Sequence, residues 1–249
     1  MSSILERLKP TQGFSQILHI FLNVLLAVAV LIFIRLNFIQ LAFSLIILSK
    51  WRMVAVKPRF WLANFRANAI DLAVGLSIVI LMLQTSNLVY QMGWLILYIV
   101  WLLYIKPASS LMMVALQAFI GQFIALSALY AIWTNGPLLG LILVTGIICY
   151  FAAHHFFDAF DEQYTKLLSY IWGYFGASLS WLLAHWLLYY RSISQPTLIL
   201  SILGYGLAII YYLDHQKRLK LSSKKQIIFV ISVLILVILI FSNWGNKVI

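Results

Sequence analysis

Charge is scarce in this chain: 9% of its 249 residues are charged, and 6 acidic residues stand against 17 lysines and arginines. Ordinary globular chains carry about a quarter charged residues. A folded chain of this length still exposes much of its surface, and so few charges cannot cover it, which excludes a water-soluble monomer. Cysteine is scarcer still. The single Cys149 lies inside the apolar run from Leu143 to Ala153, so a disulfide framework, a Cys-x-x-Cys pair and a haem-attachment motif are all excluded. The five prolines (Pro10, Pro58, Pro107, Pro137 and Pro196) fall before apolar runs or between them, so none breaks a span interior. No glycine-rich phosphate loop precedes a helix, and no lysine sits within a clear span, which removes an NTPase and a retinal Schiff base. Internal repeats and low-complexity linkers are missing too, so residues 1–249 read as a single integral membrane domain.

What fills the chain instead is apolar surface, with 64% of residues hydrophobic. Crossing about 30 Å of hydrocarbon at 1.5 Å per residue takes about 20 apolar residues. That length predicts an all-α, polytopic transmembrane bundle of nine spans: Ile17 to Ile34, Phe38 to Val54, Ala67 to Leu83, Leu88 to Ile105, Ser109 to Trp133, Leu138 to Phe157, Leu167 to Tyr190, Thr197 to Leu213 and Ile227 to Ser242. The second is the weakest, because Lys50 and Arg52 would occupy its last turn and reach the headgroups on their aliphatic stems; without it there are eight. No small-residue cleavage signature follows the first run, which is read as retained.

Cytoplasmic connections retain lysine and arginine while translocated ones lose them. With nine spans and residues 1–16 in the cytoplasm, the inner connections hold Arg7, Lys9, Lys50, Arg52, Lys57, Arg59, Arg66, Lys106 and Lys166, together with Lys217, Arg218, Lys220, Lys224 and Lys225 of a basic loop over 214–226. The outer ones hold Arg35, Arg191 and Lys247. This bias places the C-terminus outside, in the cell membrane. The net charge of +11 is spread between apolar runs without a basic module interleaved with aromatics, so anionic lipid headgroups, not nucleic acid, are its expected partner.

The densest polar chemistry runs from His154 to Glu162. On a continuing helix His154, Asp158 and Asp161 share one face, and His155, Asp158 and Glu162 share its neighbour. Imidazole beside carboxylate can pass a proton or hold a divalent metal, the only cofactor the sequence points to, with His154, His155, Asp158 and Glu162 as ligands. Asn64, Asn68 and Asp71 form a second stripe, with Gly75 beyond. Asp71 is expected about one turn inside the third span, where a lone carboxylate needs a cation, a water or a proton; Arg66 or a histidine is the expected partner. Arg52, Arg59 and Arg66, interleaved with Trp51, Phe60, Trp61 and Phe65, predict a short amphipathic segment on anionic headgroups. Gly173, Ala177 and Ser180 form a small-residue face on the seventh span, suited to close packing within the bundle or against a membrane partner or second copy. Gln117, Gln122 and Thr145 are expected to bond neighbouring helices. Two functions follow: a non-enzymatic transporter of a small solute or ion, or a subunit of a membrane complex, using Asp71 and the His154 to Glu162 cluster; or a metal-dependent membrane enzyme acting on a lipid or isoprenoid phosphate received by Arg59 and Arg66.

Overall fold

Without water to hydrogen-bond, an apolar segment must satisfy its backbone internally, and a helix does so. The computed structural model describes residues 13–133, 136–184, 189–190 and 192–243. Among these the architecture consists of nine α-helices: α1 (Gly13–Arg35), α2 (Ile39–Leu48), α3 (Trp61–Leu83), α4 (Leu88–Val100), α5 (Leu111–Ile132), α6 (Leu138–Asp158), α7 (Thr165–Ala184), α8 (Gln195–His215) and α9 (Leu221–Phe241). All but α2 belong to segments long and apolar enough to cross a membrane. The protein is an all-α bundle with the composition of a multi-pass membrane protein. Arg7, Lys9, Arg191 and Lys247, which entered the charge count, lie outside the described residues.

The second expected span is corrected. Phe38 to Val54 yields only the 10-residue α2, about 15 Å of helix against about 30 Å of hydrocarbon. Its path is nevertheless well defined: Ile46 meets the face of Gly75, Lys50 meets Asp71, and Asn64 Nδ2 donates to the Met53 carbonyl at 3.4 Å. Residues 46–53 therefore run antiparallel down α3. The helix stops where Ser49 Oγ turns back onto the Ile46 carbonyl at 2.6 Å and Lys50 leaves for its carboxylate. Short 3₁₀ turns at Trp51–Met53 and Pro58–Phe60 lead into α3. At the other end of the bundle α7 is described as far as Ala184, and Tyr189–Tyr190 (β1) pair antiparallel with Ile193–Ser194 (β2), where the sequence predicted helix to Tyr190.

One apolar core gathers Ala27, Val30, Ile46, Val74, Ile78 and Tyr98 from α1 to α4; a second gathers Leu126, Tyr130, Leu141, Cys149 and Leu200 from α5, α6 and α8. Glycine sets the tightest approach. A Cβ on Gly173 of α7 would lie 2.9 Å from the Gly146 carbonyl of α6, and Ala177 packs on the same glycine. Ser180 closes the stripe by bonding Tyr130 Oη at 2.7 Å. Gly173, Ala177 and Ser180 thus face α5 and α6 of their own chain. α9 is the outlier, packing chiefly on α8 with most of its side chains exposed.

Candidate functional site

The connections holding Lys50, Lys106 and Glu162, with the first turn of α9 that carries Lys224, gather at one end of the bundle, here called the basic end. Asp71 sits there, but deeper than the sequence suggested: α3 begins at Trp61 instead of Ala67, so Asp71 lies almost three turns in and is 8% exposed. Its partners are neither Arg66 nor a histidine. Lys50 and Lys106 both bond Asp71 Oδ2, Lys106 at 2.7 Å, while Trp101 Nε1 donates to Oδ1 at 2.9 Å. These are the only ion pairs among the described residues.

A backbone irregularity places two of the three donors. After Val100, α4 continues as one π turn over Trp101–Ile105, closed by Lys106 N donating to the Trp101 carbonyl at 2.8 Å. In a regular α-helix, residues five apart point about 140° away from each other at 3.6 residues per turn. The wider turn brings Lys106 over Trp101, so both reach Asp71; single π turns of this kind recur at functional sites. Gln117 of α5 holds the turn from outside. Its Nε2 reaches the carbonyls of Ile105 (2.7 Å) and Ala108 (2.9 Å), and its Oε1 pairs with His155 Nε2 at 2.9 Å. A continuous polar chain therefore runs from His155 through Gln117 and the 105–108 turn to Lys106, Asp71 and Lys50.

Donors outnumber acceptors in this centre. Two ammonium groups and an indole N–H converge on one carboxylate, leaving a formal charge of +1. Tyr98 Oη, fully enclosed and without a hydrogen-bond partner among the described residues, would stand 3.2 Å from a Cβ on Gly75, one helical turn from Asp71. Lys50, Lys106, Trp101 and Tyr98 had no place among the expected site residues. The two lysines looked like span ends, and nothing in the local sequence announces a π turn.

The His154 to Glu162 cluster is divided: His154, Asp158, Asp161 and Glu162 line one open pocket, and His155 does not. His155 turns into the bundle toward Gln117, whereas His154, about 100° round the helix, rests beside the Tyr150 ring, with centroids 5.8 Å apart. α6 ends at Asp158; Asp161 takes a left-handed conformation at φ 49°, and Glu162 is carried to α8, where Tyr211 Oη donates to its carboxylate. That bond and the Tyr164 backbone N–H hold the Glu162 carboxyl below its ordinary value. No three His, Cys, Asp or Glu among the described residues are arranged to hold a metal ion, so His154, His155, Asp158 and Glu162 do not form a ligand set. Arg52 and Arg59 are exposed on the 3₁₀ turns, with Arg59 lying 4.6 Å over the Phe60 ring, and Arg66 is half-buried in the second turn of α3. No amphipathic helix joins the three.

The remaining polar residues bond across helices. Gln122 donates to the Leu200 carbonyl at 3.1 Å and accepts from Trp172 Nε1 at 2.9 Å, and Thr145 lies 3.3 Å from Tyr130 Oη. Compared with models of known families, with curated proteins and with solved structures, the chain finds no match in any of the three.

Proposed function

We propose that the protein is a non-enzymatic multi-pass transporter of a small anionic solute, seated in the cell membrane with its basic end toward the cytoplasm. The observation that carries this reading is the donor-rich centre, where Lys50, Lys106 and Trp101 crowd one buried carboxylate and leave a positive charge unneutralised. Ionisable groups at such depth are costly and mark substrate or ion contacts. An arriving anion would be met by the lysines, which then exchange Asp71 for the solute; because Lys50 follows α2, Asp71 lies in α3 and Lys106 closes the π turn, that exchange would loosen the contact between these elements. His155 and Gln117 support the centre from behind. Exposed Arg52 and Arg59, flanked by Trp51, Phe60 and Trp61, suit anionic headgroups at the same surface.

The test is flux. Purified protein in liposomes should conduct at least one of chloride, nitrate, formate or acetate above protein-free vesicles, and Lys50→Met should lower that flux about tenfold or more, the loss expected when a charged hydrogen-bond donor is deleted. Protein-free rates for all four anions would overturn the reading. Sidedness is tested separately. A reporter fused after Ile249 should be found outside the cell, and a cytosolic one would reverse the orientation.

A further inference from the structure

The transport centre leaves a second feature unused: a cavity of about 480 Å³ between α5, α6, α7 and α8, well within the range of small-molecule sites. Small side chains create it. Ala115 and Ala118 of α5, Ala152 and Ala153 of α6, and Gly204 and Ala208 of α8 face one another where larger residues would have met. Its deep end is capped by the Gln122 and Trp172 side chains, which bond each other. The walls are otherwise apolar and aromatic. Along α8 the cavity reaches from Gly204 to Asp214, about 15 Å at 1.5 Å per residue and so the depth of one leaflet of a 30 Å hydrocarbon core. Between α7 and α8 it opens sideways, with Ile171 and Leu207 exposed at its edges.

The end near the basic connections has a different character. Lys224 and Asp214 both line it, both are exposed, and they do not pair with each other. A cation and a carboxylate held apart at the mouth of an apolar slot one leaflet deep complement a headgroup that itself carries both signs. We propose that the cleft seats one chain of a phosphatidylethanolamine-type lipid, its phosphate on Lys224 and its primary ammonium on Asp214. A headgroup lacking the ammonium leaves Asp214 unpaired beside a phosphate. A trimethylated one supplies the charge but no N–H donor, and it is too bulky to approach a carboxylate closely. The site is independent of the anion centre: it uses α5 to α9 and none of Lys50, Asp71 or Lys106.

Native mass spectrometry of the full chain in detergent tests this, with dioleoyl phosphatidylethanolamine, phosphatidylglycerol and phosphatidylcholine offered singly and in competition. Phosphatidylethanolamine should be retained preferentially. Lys224→Gln should weaken all three lipids by about fivefold, the upper end for an ion pair in contact with solvent, whereas Asp214→Asn should weaken phosphatidylethanolamine alone and erase the preference. Ala208→Trp, which fills the slot, should abolish retention. The two mouth residues are exposed, so their variants test the site even if the filled variant fails to fold. Equal retention of the three lipids, or wild-type retention in Lys224→Gln and Asp214→Asn, would overturn the proposal.

Discussion

Asp71→Ala is expected to destabilise the protein by about 3–5 kcal/mol, the range found when one member of a buried ion pair is removed and its partner is stranded. Lys50 determines the size of the loss. Its side chain is 9% exposed, so without Asp71 it must find another anion or release its proton. Lys106, at 38% exposed, can turn toward solvent and adds little. The Trp101 indole N–H also loses its acceptor. Replacing all three charged residues together, as Lys50→Met, Asp71→Leu and Lys106→Met, should recover most of the stability, because the desolvation cost disappears with the charges. Equilibrium unfolding in bicelles would measure both. A triple variant as unstable as Asp71→Ala would mean that packing around Asp71, and not charge, holds this end together. The same triple variant should carry no anion, which separates the fold from the function proposed for it.

The second large effect is steric. A side chain at Gly173 has nowhere to go, since its Cβ would lie 2.9 Å from the Gly146 carbonyl and 3.0 Å from Tyr150 Cβ, and the former is main chain that moves only if α6 and α7 separate. Gly173→Leu should therefore cost about 1–3 kcal/mol or more, as overpacking does in a well-filled core. Separation would also pull Ser180 from Tyr130. The control is Gly93 in α4, where an added Cβ meets nothing within 4 Å. Gly93→Ala should be neutral or stabilising by about 0.5–1 kcal/mol, the ordinary gain from replacing a helical glycine. Thermal unfolding of both variants in one detergent checks the contrast, and equal effects would show that the hairpin of α6 and α7 is looser than its glycine contacts imply.

Much of the bundle was legible from hydropathy alone, because a run of about 20 apolar residues has few alternatives to a spanning helix. The failure at α2 has a physical cause. Hydropathy counts Phe38 to Val54 as one run, but Lys50 is drawn sideways to a carboxylate that is distant in sequence, and Ser49 ends the helix locally. Asp71 was legible as a candidate that needs a partner because a carboxylate in an apolar run is conspicuous. Its partners were not, because a lysine at the end of a span reads as a snorkelling residue whichever way it points. The His154 to Glu162 cluster was legible in part. Its residues were placed on two neighbouring faces of a continuing helix, but α6 ends at Asp158 and the left-handed Asp161 sends the chain toward α8, so His154, Asp158, Asp161 and Glu162 share a pocket by way of the turn and His155 faces elsewhere.

The order in which the ribosome delivers the members of the polar centre constrains how the protein is made. Lys50 emerges first and Asp71 next, but Lys106 and the Gln117 amide that secures its turn follow only with the end of α4 and the start of α5. Until then the nascent chain carries an incomplete charge group that bulk lipid would receive poorly. Release of α1 to α3 from the insertion machinery should consequently wait for α5, so that the first half of the bundle enters the bilayer as a group and not helix by helix.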